Sequence, residues 1–266
     1  MPAQCHARQP GLLSQFTQRR LLMALPVLDT AARGGRCDDQ PLWYGGVAIR
    51  NTAFGPPSPR QCGGNGQWYY HCTGGFGVTL GTTRYLLTAG HCAGDQDFFT
   101  DSTGENNEGG QIGPVRREHV GHDLLLVEAA TAGRIWDGTP GVSDFTKPVK
   151  GWLWAAPGQF VCFSGTTSGA RCGHYVDAYY SWICDPDGDI YGNYECYEDL
   201  ISAAGPGSQH GDSGGPVFSL TGDGSQVMAL GTVTGNIDLG LGLRELMFQD
   251  FGTATRDWPG LDVITG

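Results

Sequence analysis

From Leu42 onward the chain alternates short apolar runs with turn residues. Val47 to Arg50 is brief and β-prone. Phe54 to Arg60 reads as a loop, because Pro56, Pro57 and Pro59 remove backbone donors. Trp68 to Cys72 gives an aromatic strand. Phe76 to Leu80 and Tyr85 to Thr88 flank Gly81-Thr82-Thr83-Arg84, which predicts a hairpin. Gln111 to Val120, Leu124 to Val127, Lys147 to Trp154, Phe160 to Phe163, Val217 to Leu220, Val227 to Val233 and Leu246 to Phe251 supply further strands. No stretch longer than about ten residues holds the 3.6 period of an amphipathic helix. Regularly spaced strands and turns predict an all-β sandwich or barrel. Thr139 to Lys147, with Pro140 and Gly141, reads as a linker between halves of similar size.

Composition narrows this picture. A length of 266 residues suits one large all-β domain or two small ones. The 44 glycines follow no collagen-like period, so they mark tight turns. A net charge of −11 argues against nucleic acid or an anionic membrane as partner. No apolar run is long enough to span a bilayer. The nine cysteines mostly avoid C-x-x-C pairs, which predicts disulfides and a secreted, oxidising destination. Cys5 is the expected odd one out, because residues 1 to about 40 differ in composition. There Arg8, Arg19 and Arg20 precede the short apolar run Leu21 to Leu28, and Thr30-Ala31-Ala32 follows. This part reads as a secretory-signal or pro-segment remnant and is set aside from the fold.

Candidate chemistry centres on Gly211-Asp212-Ser213-Gly214-Gly215-Pro216. Glycines let backbone N–H groups approach a ligand closely. The N–H groups of Gly211 and Ser213 are placed to stabilise a developing oxyanion beside the serine oxygen. A serine alone is a poor nucleophile, so this reading demands a histidine and a carboxylate elsewhere. Of seven histidines, His91 fits best: Leu86-Leu87-Thr88-Ala89-Gly90 sets it at the end of an apolar strand. Cys92 anchors that turn if it pairs with Cys72, one hairpin earlier.

Thr88-Ala89-Gly90-His91-Cys92 together with Gly211-Asp212-Ser213-Gly214-Gly215-Pro216 resembles the chymotrypsin-like serine proteases, nearest to their bacterial streptogrisin and α-lytic branch. The resemblance covers roughly residues 42 to 266. It implies two six-stranded antiparallel β-barrels with the active site in the cleft between them. The domains would be residues 41–140 and 141–266, after the remnant at 1–40. It also implies an acid between histidine and serine that opens an apolar strand. Asp123, before Leu124-Leu125-Leu126-Val127, fits that place and is expected to be half buried. Asp95, Asp97 and Asp101 lie too close to His91, and Asp137 and Asp144 precede no apolar strand.

The order His91, Asp123, Ser213 excludes the α/β-hydrolase elbow that G-x-S-x-G otherwise suggests, because no histidine follows Ser213. A zinc site from His71-Cys72 and His91-Cys92 is disfavoured, since adjacent pairs are poorly placed to share one metal. No cofactor is expected.

The resemblance places the base of the specificity pocket at Gly207 and Ser208 and its wall at Thr234-Gly235-Asn236. Neither Gly207 nor Ser208 is acidic, so an apolar or aromatic residue rather than Arg or Lys is expected at the cleaved position. Asp187, Asp189, Glu195, Glu198 and Asp199 lie in the preceding loop and are within reach of it. Cys162 and Cys172 resemble the bacterial second-barrel disulfide loop. Cys184–Cys196 reads as a second local staple, which leaves Cys37–Cys62. Tyr44-Gly45-Gly46-Val47 lacks a preceding basic cleavage residue, so Asp212 needs a partner other than a freshly cut N-terminus. The expected activity is that of a monomeric secreted endopeptidase acting on polypeptides, with its own pro-segment or protein inhibitors as further partners. The alternative is an inactive extracellular binding protein on the same fold.

Overall fold

A computed structural model of the chain describes residues 35–37, 39–52, 71–93, 98–101, 110–140, 145–185, 195–240 and 243–266. The expected remnant up to residue 34, the Phe54–Arg60 loop and residues 68–70 of the aromatic strand lie outside them. In chain order the strands are β1 (Trp43–Gly45), β2 (Ala48–Asn51), β3 (His71–Thr73), β4 (Gly77–Leu80), β5 (Thr83–Thr88), β6 (Phe98–Asp101), β7 (Gln111–His119), β8 (Leu124–Glu128) and β9 (Thr131–Asp137). They continue with β10 (Phe145–Trp152), β11 (Phe160–Gly165), β12 (Gly169–Asp185), β13 (Glu195–Ala204), β14 (Pro216–Leu220), β15 (Val227–Gly240), β16 (Leu243–Asp250) and β17 (Leu261–Val263). Helix α1 (Phe251–Asp257) precedes β17, and the Asp250 carboxylate caps its first turn through the Gly252 N–H.

Two closed barrels result. In the first, pairing runs β2–β6–β7–β8–β5–β4. Strand β3 pairs with β2, and only three residues separate β3 from β4. Those residues continue the pairing on both sides. Gly74 N–H donates to the Val47 carbonyl (2.8 Å) and Gly75 N–H to the Leu87 carbonyl (2.7 Å). The bent segment His71–Leu80 therefore serves as one strand and closes a six-stranded ring. The second barrel runs β15–β14–β11–β12–β13–β16 and closes where β16 pairs with β15, every pairing antiparallel. Closure removes exposed sheet edges. The chain then ties the halves together: β17 pairs with β4, and β10 pairs with both β9 and β15.

Period-two alternation explains why several strands are apolar on both faces. Leu86, Leu125 and Val127 fill the interior of the first barrel with Ile49, Phe99 and Val115. Their neighbours Leu87, Leu124 and Leu126 point the other way, onto Phe218, Ala229, Phe251 and Trp258. Val161, Phe163, Val217, Leu230 and Phe248 fill the second barrel. The hairpin after Phe76 is tighter than Gly81–Arg84 suggests. Thr83 and Arg84 already pair with Leu80 and Thr79, which leaves Gly81 (φ 62°) and Thr82 as the turn. Glu195, Glu198 and Asp199, expected in a loop, lie on β13.

Three expected disulfides are present: Cys72–Cys92, Cys162–Cys172 and Cys184–Cys196. Cys37 is also disulfide-bonded; Cys62 and Cys5 lie outside the described residues. No helix among the described residues is long and apolar enough to cross a membrane.

Candidate active site

His91 sits where β5 leaves the first barrel. Leu86 and Leu87 are fully buried, which fixes the strand, and the Thr88 hydroxyl donates to the Thr73 carbonyl (2.9 Å). Gly90–Cys92 then forms a single 3₁₀ turn, stapled by Cys72–Cys92. A Cβ on Gly90 would stand 3.1 Å from the Leu124 nitrogen, so the lack of a side chain lets the Asp123 segment close on the turn. Asp123 follows a second 3₁₀ turn, Val120–His122, and adopts the left-handed region (φ 50°) just before β8.

Asp123 is completely buried, not half buried, because the His91 turn and the apolar start of β8 enclose it. Its Oδ1 accepts twice from His91, from the backbone N–H (2.8 Å) and from Nδ1 (2.9 Å). An ionised carboxylate only accepts, so Nδ1 carries the proton and Nε2 keeps a lone pair. The imidazole retains 17% exposure, and the Tyr197 ring of β13 lies 6.5 Å away.

Ser213 is brought to the same place by its main chain. Its carbonyl accepts from Thr73 N–H (2.7 Å) and lies 4.0 Å from the Cys92 sulfur. The serine is thus hydrogen-bonded to the residue next to Cys72 and in contact with the sulfur of Cys92, the two ends of the staple that holds His91. No hydrogen bond joins the Ser213 hydroxyl to His91 among the described residues. Such bonds are often long until a substrate binds.

The N–H groups around Ser213 divide into two sets. Those of Asp212, Gly214 and Gly215 donate to the carbonyls of Gln209 (2.9 Å), Val233 (2.7 Å) and Asp212 (2.9 Å). Those of Gly211 and Ser213 meet no acceptor among the described residues. The Thr167 hydroxyl donates to the His210 carbonyl (2.7 Å), and a trans peptide then aims the Gly211 N–H the opposite way. The Gly211 carbonyl accepts from the hydroxyls of Thr73 (2.6 Å) and Thr166 (2.9 Å). Gly211 itself has φ 95°, which a side chain would resist.

Asp212 is buried, and its partners are N–H groups rather than a cation. Oδ1 accepts from Thr167 (3.0 Å) and Ser168 (2.9 Å), Oδ2 from Gln209 (2.9 Å). Burial raises its pKa above the usual carboxylate value, and these bonds oppose the rise. The turn Thr166–Ser168 thus holds the segment before the serine at several points. Nothing in its sequence marks it as such, since the threonines act through contacts made about 45 residues away.

The remaining expected residues converge beside this segment. Gly235 and Asn236 pair with β16, a bulge falls at Thr234, and among the described residues no strand pairs with their other side. The Asn236 side chain turns to Ser208 instead of leaving only backbone on offer. Asp199 pairs with Arg256 (2.9 Å) and not with the pocket; Asp187 and Asp189 lie outside the described residues. The thiols that a zinc site at His91 would need are consumed by Cys72–Cys92. A second cluster, His119, His122 and Asp257, is held by protons. The His119 ring stacks on His122, and its Nδ1 accepts from His122 N–H (3.2 Å), so Nε2 carries the hydrogen a metal would have to displace.

The family model for trypsin matches residues 58–248. Streptogrisin-D of Streptomyces griseus is 30% identical over 182 residues, 66% of this chain and 42% of that protein. Streptogrisin-C of the same organism is 29% identical over 180 residues, 65% of this chain and 36% of that protein. The chain therefore spans less than half the length of the curated relatives it matches. Among solved structures, Thermobifida fusca Protease A superposes with a TM-score of 0.58 at 23% identity, over 84% of this chain and 98% of that one.

Proposed function

The chain belongs to the trypsin family, and from that premise we propose that it is a secreted serine endopeptidase that works through an acyl-enzyme. Ser213 Oγ attacks the scissile carbonyl. His91 Nε2 takes its proton and returns it to the leaving amine, and Asp123 holds the imidazole tautomer and stabilises the imidazolium. The N–H groups of Gly211 and Ser213 receive the oxyanion. The single observation that carries this reading is the pair of N–H groups flanking Asp212 that meet no acceptor among the described residues, whereas those of Asp212, Gly214 and Gly215 are taken. An extended polypeptide adds to the open edge of Thr234–Asn236 by main-chain pairing. The residue it presents for cleavage is apolar rather than basic, since Gly207 and Ser208 carry no charge. The disulfides suit an oxidising, extracellular setting, and the enzyme acts as a monomer.

Labelling with a fluorophosphonate probe tests the reading. The expected result is one adduct per chain at Ser213, lost in Ser213→Ala, with release of fragments from a denatured protein substrate. A folded chain that neither labels nor cleaves would be the inactive binding protein instead.

A further inference from the structure

Asn236 lies on β15, and its side chain reaches across to the segment that faces it. Oδ1 accepts from the Ser208 backbone N–H (2.6 Å) and from the Ser208 hydroxyl (3.1 Å). Nδ2 donates to the Ser208 carbonyl (2.9 Å). The amide thus pairs with both main-chain groups of one residue, as a neighbouring strand would. The Ser208 hydroxyl has one hydrogen and two acceptors within reach, Asn236 Oδ1 and the Gly235 carbonyl (3.2 Å). Gly207 packs under the same amide: a Cβ there would stand 2.5 Å from Asn236 Oδ1 and 3.1 Å from the Arg244 Cβ. On their other side Gly207 and Ser208 border an open cleft of about 550 Å³, lined also by Gly205, Pro206, Leu239, Arg244 and Glu245. It borders Gly207 and Ser208 but none of Thr234, Gly235 and Asn236.

We propose that the Asn236 amide is a bar across the primary specificity pocket, which limits the cleaved-side residue to about the size of alanine. The proposal rests on the protease reading, in which that residue's side chain enters between Gly207–Ser208 and Thr234–Asn236. A large side chain could enter only by breaking the bridge. That would leave the N–H and C=O of Ser208, a buried residue, without partners. An alanine-sized side chain stops above the bar and leaves it intact. The bar narrows the apolar preference to small residues and displaces aromatic ones. It acts by size, because the groups that form it, the Asn236 amide and the Ser208 main chain, are neutral.

The test compares succinyl tetrapeptide anilides that differ only at the cleaved residue (Ala, Phe and Glu), with enzyme concentration set by fluorophosphonate titration. The unsubstituted enzyme is expected to favour Ala over Phe by about tenfold or more, in line with what pocket fit can supply. In Asn236→Gly the Phe-to-Ala ratio should rise by a similar factor, and in Asn236→Ala by less. An unsubstituted enzyme that cleaves after Phe as fast as after Ala overturns the proposal without any variant. So do titratable variants that leave the ratio unchanged, or that gain only on Glu. A chain that does not label at all fails the protease reading, and this inference falls with it.

Discussion

One oxygen of Asp123 accepts from His91 twice, through the ring Nδ1 at 2.9 Å and through the backbone N–H at 2.8 Å. The ring is therefore held in both tautomer and direction by a residue that is itself wholly buried. Asp123→Asn keeps the shape but offers an amide that can also present N–H to Nδ1, which favours the wrong tautomer. We expect kcat to fall by about 10⁴ with little change in KM. Steady-state kinetics on a peptide anilide checks this. A loss below about tenfold would mean that the carboxylate does not set the proton's position.

The staple Cys72–Cys92 closes a loop with a sequence separation of 20 and carries both the His91 turn and the anchor of the Ser213 carbonyl. Replacing both cysteines by alanine should cost about 3 kcal/mol of stability through the freed loop. Activity should fall further than stability, because Thr73 and Cys92 both face the serine. Denaturant titration and kinetics on the same sample separate the two effects. Equal activity per folded molecule would show that the staple is only structural.

Burial pushes the Asp250 carboxyl up to about 6, against the hydrogen bonds from Ala155 and Gly252 and the nearby charge of Arg256. Between about pH 4 and 6 the folded chain keeps a proton that the unfolded chain has released, so this group makes stability fall as pH rises. His71 works in the opposite sense. Burial and the adjacent Arg50 lower it to about 4, so the unfolded chain binds the extra proton below about 6.5 and stability falls as pH drops. The two groups offset each other in one window. Asp250→Asn removes one of them, so relative to the unsubstituted protein its stability should gain with rising pH, by up to about 3 kcal/mol between pH 4 and 7. Urea titrations at the two ends of that window decide it. A constant difference between the proteins would rule out titration of Asp250 there.

Much of this architecture is legible in the chain itself. The apolar runs Tyr85–Thr88 and Leu124–Val127 mark strands buried on both faces. His91 follows the first by three residues, and Asp123 immediately precedes the second. Strands β9, β12 and β13 are less legible. β12 and β13 form a long hairpin with exposed Tyr175, Tyr179 and Trp182, so no clean alternation of apolar and polar residues announces them. The bar at Asn236 and the clamp on Asp212 are also hidden. They are made by side chain to backbone contacts between segments far apart in the chain, and any short polar residue offers such a contact to a sequence reader.

Gly165 gives the last prediction, because it tests whether the Thr166–Ser168 turn holds the oxyanion segment. Its Cα lies against the Asp212 carboxylate, and a Cβ there would overlap Oδ1 and Cγ. Gly165→Ala must therefore push the carboxylate away from the N–H groups of Thr167 and Ser168. Asp212 is bonded to the segment that carries the Gly211 N–H, so that donor should leave its place. Loss of one such donor costs about 10² to 10³ in kcat, and the overlap itself about 1–3 kcal/mol of stability. Gly222→Ala is the control, since nothing lies within 4 Å of a Cβ at that position. It should leave both quantities unchanged. If Gly165→Ala keeps kcat within twofold, the turn is not what holds the donor, and the bonds from Thr73 and Thr166 to the Gly211 carbonyl suffice.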